Sequence, residues 1–160
     1  LLNPEDPYIY LGSSFVKRQI KDYEGAKNDI TKLINFYPKD AYPYSFRGSL
    51  KIDLEDYNGA ITDLTRAIKI DPQIEGLYNN RCWAKYKLGK FKKALIDCNQ
   101  ALLLNPKDSY AYDSRGDVKF ALGDKEGACS DYKNALSNGY KEREGYLASE
   151  EGSWCRNMPN

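Results

Sequence analysis

An all-α superhelix (a solenoid) of stacked helix–turn–helix units is the fold class this sequence predicts, on three observations. Pro4, Pro38, Pro72 and Pro106 recur 34 residues apart. Small residues recur in phase with them: Ala26, Ala60, Ala94 and Ala128 share one position, and Gly48, Cys82 and Gly116 share another. Between them, larger apolar residues fall at i, i+3 and i+7, as in Ile61/Leu64/Ile68 and Leu95/Cys98/Leu102, which is the stripe of an amphipathic helix. A fixed period of this length describes stacked supersecondary units and not one globule.

Counting each proline as the third-last residue of its unit gives repeats at 7–40, 41–74, 75–108 and 109–142. Leu1-Leu2-Asn3-Pro4 matches Leu103-Leu104-Asn105-Pro106, so residues 1–6 read as the end of a preceding repeat, and the chain as a piece of a longer array or of a larger protein. The first helices are expected to end near Ile20, Leu54, Leu88 and Leu122. Short turns follow at Lys21-Asp22, Glu55-Asp56, Gly89-Lys90 and Gly123-Asp124. The second helices run to about Phe36, Ile70, Leu104 and Asn138, and proline then bars their continuation. Leu33, Ala67, Ala101 and Ala135 are placed to face the next repeat. In the fourth repeat Tyr140 stands where proline is due, after Asn138-Gly139. The array is therefore expected to close there, with 143–160 as a C-terminal cap or tail in which Tyr146, Leu147 and Trp154 cover the last apolar face.

Composition narrows the function classes. The chain is 41% hydrophobic with 24 basic and 23 acidic side chains, a formal net charge of +1. That balance fits a folded domain and lacks the basic excess of a phosphate-tracking protein. No apolar run is long enough for a membrane segment, and the visible N-terminus lacks the features of a secretion signal. The four cysteines include no C-x-x-C pair, and there is no histidine. Neither a metal site nor a cofactor is expected. Cys82, Cys98 and Cys129 fall on buried helix faces and are expected to be reduced core residues, which favours a cytoplasmic location. G-x-S-x-G and G-x-x-x-x-G-K are absent, and Asp113 and Asp117, one turn apart, make no catalytic centre alone. The chain reads as no enzyme.

Period, proline, paired small residues and turn together resemble the tetratricopeptide repeat family along residues 1–142. Asn80-Arg81-Cys82, Ser114-Arg115-Gly116, Gly59-Ala60-Ile61-Thr62-Asp63 and Gly127-Ala128-Cys129-Ser130-Asp131 look most like its bacterial type. The chain departs from the family's Trp, Leu and Tyr at three first-helix positions. It carries Tyr10/Tyr44/Tyr78/Tyr112, Ser13/Arg47/Arg81/Arg115 and Lys17/Lys51/Lys85/Lys119 there. The Arg/Lys pairs at i, i+4 repel one another unless acids compensate. Asp29, Asp63, Asp97 and Asp131 on the second helices supply the compensation. An Arg–Asp ladder is expected in one of two registers, within a repeat or to the next one.

The resemblance implies that first helices line a concave groove able to hold an extended peptide. Carried over by position, the wall includes Phe15, Phe46, Asn79, Asn80, Trp83, Tyr86, Asp113 and Asp117 as candidate peptide-binding residues. The two asparagines can donate to and accept from a peptide backbone. Aromatic residues offer anchoring pockets, although each can instead pack between adjacent first helices. Asp113 and Asp117 would favour a basic ligand residue. Some members grip the C-terminal carboxylate of heat-shock chaperones through Lys and Asn on one first helix, Asn on the next, and Lys and Arg on a third. Those positions hold Leu11, Phe15, Phe46, Gly76 and Asn80, or one repeat later Ser45, Ser49, Asn80, Tyr110 and Ser114. Only Asn80 fits, so that mode is not expected. The reading is a protein-interaction module for a protein or peptide partner, with no nucleic acid and no membrane segment. The alternative is an assembly scaffold or the docking domain of a larger protein. RNA binding ranks lower, because Asp53, Asp113 and Asp117 repel phosphate.

Overall fold

The computed structural model describes residues 7–150 and 152–156, and every regular element among them is a helix. The expected tail of a preceding repeat, 1–6, lies outside the described residues. The chain divides into two compact units, Leu1–Asn80 and Arg81–Asn160.

The N-terminal unit holds α1 (Tyr8–Gln19), α2 (Tyr23–Phe36), α3 (Ala41–Asp53), α4 (Tyr57–Ile70) and the start of α5 (Leu77–Lys87). Consecutive helices pack on one another from α1 to α4. Their starts are written in the sequence. The Asp22 and Asp56 carboxylates accept the N–H of Gly25 and Gly59 at 2.9 Å, satisfying an orphan donor of α2 and α4. A Cβ on either glycine would run into that same carboxylate. The aspartate cap and the glycine three residues on therefore belong together. Ala26, Ile30, Leu33, Ile34, Phe46 and Leu50 form one core cluster of the unit, and Ala60, Leu64 and Ala67 of α4 are fully buried as well.

The C-terminal unit continues with α6 (Phe91–Leu104), α7 (Ser109–Ala121), α8 (Lys125–Ser137), α9 (Glu142–Ala148) and α10 (Ser153–Arg156). Asp124 caps α8 through Gly127 in the same way, whereas α6 has Lys90 at its cap and Lys93 where the glycine would be, and no side-chain cap bond. The device is present whole in three repeats and absent whole in the third. Here α9 and α10 pack against α8, burying Leu147 and Cys155 with Ala128, Cys129 and Tyr132.

One pair of positions sets how close the two helices of a repeat come. A Cβ on Gly48 would stand 2.8 Å from Leu64 Cγ, and one on Gly116 would stand 2.6 Å from Tyr132 Cδ1. A glycine on the first helix thus receives a large side chain from the second. In the third repeat the same two positions hold Cys82 and Cys98, two small residues facing across the approach. The expectation of reduced cysteines is wrong here: Cys82 is bonded to Cys98 and Cys129 to Cys155. Their Cα atoms lie 5.4 and 5.2 Å apart, inside the range a disulfide spans. The first bond fastens α5 to α6 and the second fastens α10 to α8.

The Arg–Asp ladder forms within the repeat, in the second, third and fourth repeats. Arg47 forks onto Asp63 with Nε and Nη2 both at 2.8 Å, and Lys51 reaches the same carboxylate at 2.8 Å. Arg81 and Lys85 do likewise to Asp97, and Arg115 and Lys119 to Asp131. The remaining guanidinium nitrogen reaches back to the preceding repeat's second helix. Arg47 Nη1 donates to Thr31, and Arg115 Nη1 to Asn99. In the first repeat, where Ser13 replaces arginine, the Ser13 hydroxyl and Lys17 both donate to Asp29 at 2.6 Å. Burial pushes the Asp29 carboxyl up, but these two donors and the nearby Lys32 together hold it below its ordinary value.

Candidate binding faces on the first helices

In the N-terminal unit, Phe15 on α1 meets Phe46 on α3 with ring centroids 4.7 Å apart, and Tyr42 stacks on Phe46 from one turn earlier. Phe46 is buried in the core, whereas Phe15 and Tyr42 are exposed. Arg18 lies 5.7 Å over the Phe46 ring while its Nε donates to Asp53 at 2.9 Å. Of this aromatic cluster, Phe46 is the floor, and Phe15 and Tyr42 are the accessible part.

Helix α5 carries four candidates on its own surface. Asn79 and Trp83 are one turn apart, with Asn80 beside them and Tyr86 a further turn along. Trp83 is half-buried and stacks on Tyr86 at 5.3 Å, with the Lys87 ammonium 5.6 Å from the Trp83 ring. Tyr86 also meets Phe91 at 5.7 Å and packs on the core around Cys82, Ala94, Cys98 and Val118. Burial, with Asp117 adding to it, pushes its phenol up. Tyr86 therefore supports Trp83 from the core side. Among the described residues, Asn79 Oδ1 is a buried acceptor with no hydrogen-bond partner.

Asp113 and Asp117 on α7 are brought together by a residue that sequence reasoning did not single out. Arg143, at the start of α9, donates from Nε to Asp113 at 2.6 Å and from Nη2 to Asp117 at 2.9 Å. Its guanidinium lies 4.3 Å from the Tyr132 ring centroid and 5.2 Å from that of Tyr146. Tyr132 donates its hydroxyl to Asp117 at 2.8 Å. Burial, the largest influence, pushes the Asp113 carboxyl up against the opposing pull of Arg143. The Tyr132 phenol is pushed far up by burial and by Asp117. The basic residue expected of a ligand is thus present within the chain. Arg143 lies beyond the last repeat, where no period assigns it a place.

Among the described residues no group of His, Cys, Asp or Glu is arranged to hold a metal ion, and no helix is long and apolar enough to cross a membrane.

No curated protein matches the sequence. Among solved structures, MamA (residues 41 to the end) from Desulfovibrio magneticus RS-1 superposes with a TM-score of 0.79 at 17% identity, covering 95% of this chain and 90% of that one. At that identity it is the fold that is shared. The first TPR of Spaghetti (RPAP3), bound to the HSP90 peptide SRMEEVD, is 31% identical, with a TM-score of 0.61 over 69% of this chain and 94% of its own. The first TPR domain of human RPAP3 is also 31% identical, with a TM-score of 0.67 over 74% of this chain and 94% of that one. A family model described as the ETO1 C-terminal domain matches residues 11–137. With its helical pairs in 34-residue register, the chain belongs to the tetratricopeptide repeats, as a member of the ETO1 C-terminal domain family.

Proposed function

We propose that this chain is a non-catalytic protein-interaction module that takes up an extended segment of a partner along its first helices, with α5 as the centre of recognition. The observation carrying this reading is the half-buried Trp83 stacked on Tyr86, with Asn79 and Asn80 beside it on α5. The amide of Asn80 offers both a donor and an acceptor to an extended backbone without demanding a particular side chain. Trp83, backed by Tyr86, receives an apolar side chain. Phe15 and Tyr42, over the Phe46 floor, offer a second apolar contact in the N-terminal unit.

The bound peptide of the RPAP3 structure supports peptide recognition as the general mode. It does not carry that peptide's identity across, because the carboxylate-gripping positions here hold Leu11, Phe15, Phe46 and Gly76, with Asn80 alone suited. The cytoplasmic location expected from sequence is not carried over, since two disulfides fit an oxidising compartment better. An assembly scaffold is the second reading, favoured by the large exposed residues Ile96 and Leu103 on α6.

Peptide-display selection on the folded chain tests the proposal, repeated on Asn80→Ala and Trp83→Ala variants whose helicity is confirmed. Enrichment lost in both variants supports it. Enrichment indifferent to both moves binding off α5.

A further inference from the structure

We propose that α9 and α10 form a redox-fastened strap: the Cys129–Cys155 bond keeps Arg143 seated on Asp113 and Asp117, and its reduction opens that acidic pair to a cationic side chain of a partner. The inference deepens the interaction reading above and rests on it for the partner.

The geometry supplies a lock, a strap and a covered site. The covered site has two carboxylates and the faces of Tyr132 and Tyr146 around one guanidinium, and Arg143 makes a charge-assisted bond to each carboxylate. The strap is short: α9 spans Glu142–Ala148 and α10 is the single turn Ser153–Arg156. Arg156 Nη1 donates to the Ala148 carbonyl at 2.8 Å, so the two pieces hold each other. Leu147, Tyr146 and Trp154 pack on α8 around Cys129 and Cys155. Helices this short do not persist alone and depend on what they pack against. A covalent tie near the far end of the strap shifts the balance of seated and released states strongly toward seated.

The two disulfides differ in what must open before a reductant enters. Cys82 and Cys98 are fully buried between helices of 11 and 14 residues, so exposing that bond requires separating a repeat. Cys155 is also buried, but it lies on α10, a helix of only four residues whose local opening is a small event. A dithiol reductant completes the chemistry. One thiolate attacks Cys155 Sγ and Cys129 leaves as a thiolate, which takes a proton. The second reductant thiol then displaces Cys155 from the mixed disulfide. Two electrons and two protons pass to the protein, and the reductant becomes a disulfide.

The test is graded reduction of the whole chain with dithiothreitol, read in three ways. Alkylation and mass spectrometry give the order of thiol appearance, hydrogen exchange reports α9, and an NMR titration with N-acetylargininamide reports the acidic pair. Cys129 and Cys155 should be labelled before Cys82 and Cys98, with the α9 amides then exchanging about tenfold faster. N-acetylargininamide should bind the half-reduced chain about tenfold more tightly than the oxidised one, since the seated strap withholds the competent state. A Cys155→Ser variant should show the open behaviour without reductant. Simultaneous labelling of all four cysteines, or α9 exchange unchanged in Cys155→Ser, overturns the strap. An α9 that opens while the arginine derivative binds no better overturns the gating of Asp113 and Asp117. Either failure is distinct from that of the α5 reading, which the Asn80 and Trp83 variants decide.

Discussion

Replacing Gly48 by alanine should destabilise the N-terminal unit, whereas the same change at Gly12 should stabilise it. Both glycines lie inside first helices of that unit, and alanine is the better helix former by about 0.8–1.0 kcal/mol at either. They differ in what the new methyl meets. At Gly12 nothing lies within 4 Å. At Gly48 the methyl would stand 2.8 Å from Leu64 Cγ and 3.0 Å from its Cδ2. Carbon atoms in good contact sit at about 3.5–4.0 Å, so the overlap approaches 1 Å. Leu64 is fully buried and its Cγ is not a free end that can swing aside. Overpacking of this kind costs about 1–3 kcal/mol, which outweighs the propensity gain and leaves a net loss of about 1 kcal/mol. Urea unfolding followed by circular dichroism reads this directly. With a slope of about 1–3 kcal/mol per molar, the midpoint should fall by about half a molar for Gly48→Ala and rise for Gly12→Ala. Two shifts of the same sign would refute the reasoning. The paired variant Gly48→Cys/Leu64→Cys recreates the third repeat's arrangement and should cross-link under oxidising conditions, since the bonded Cys82 and Cys98 occupy the equivalent positions at a Cα separation of 5.4 Å.

Asp63→Ala should cost about 3–5 kcal/mol in a thermal or urea melt, because it strands Arg47 and Lys51 beside a buried, emptied position. Asp29, held below its ordinary pKa in the fold, contributes stability that is full above its unfolded value near 3.9 and lost as pH falls through the lower folded value. The stability of Asp29→Asn measured from about pH 5 to 2 should therefore fall less steeply than that of the parent chain. Ala94→Leu, at a fully buried crossing, should lower stability by about 1–3 kcal/mol, while Asn80→Ala should stay within about 0.5 kcal/mol on the same melt.

Much of the fold was legible because the period puts each physical requirement at a fixed address. Prolines mark where second helices stop, and small residues mark where helices cross. The observed helices end within one residue of the expected points, at Gln19, Asp53, Lys87 and Ala121, and at Phe36, Ile70, Leu104 and Ser137. The ladder's composition was legible but not its register, because an arginine near Asp63 occurs in its own repeat and in the next. Geometry chose the nearer one and used the spare guanidinium nitrogen to reach the repeat before. The Cys82–Cys98 bond left a trace that one helix at a time does not show. The spacing of 16 that joins Gly48 to Leu64 and Gly116 to Tyr132 also joins these cysteines. Cys155 and Arg143 had no such trace, since beyond the last repeat no period relates a residue to a neighbour in space. Among the candidate binding residues, side-chain packing and not position sorted the aromatics. Phe46 and Tyr86 took core duty, leaving Phe15 and Trp83 outward.

The most direct test of the interaction reading is a hydrogen-exchange footprint of a display-selected peptide on the intact chain. Recognition along the first helices predicts slowed exchange in α5, with further protection confined to α1, α3 and α7, and a weaker footprint throughout in Asn80→Ala. Protection concentrated on α2, α4, α6 or α8, with α5 unchanged, would contradict it.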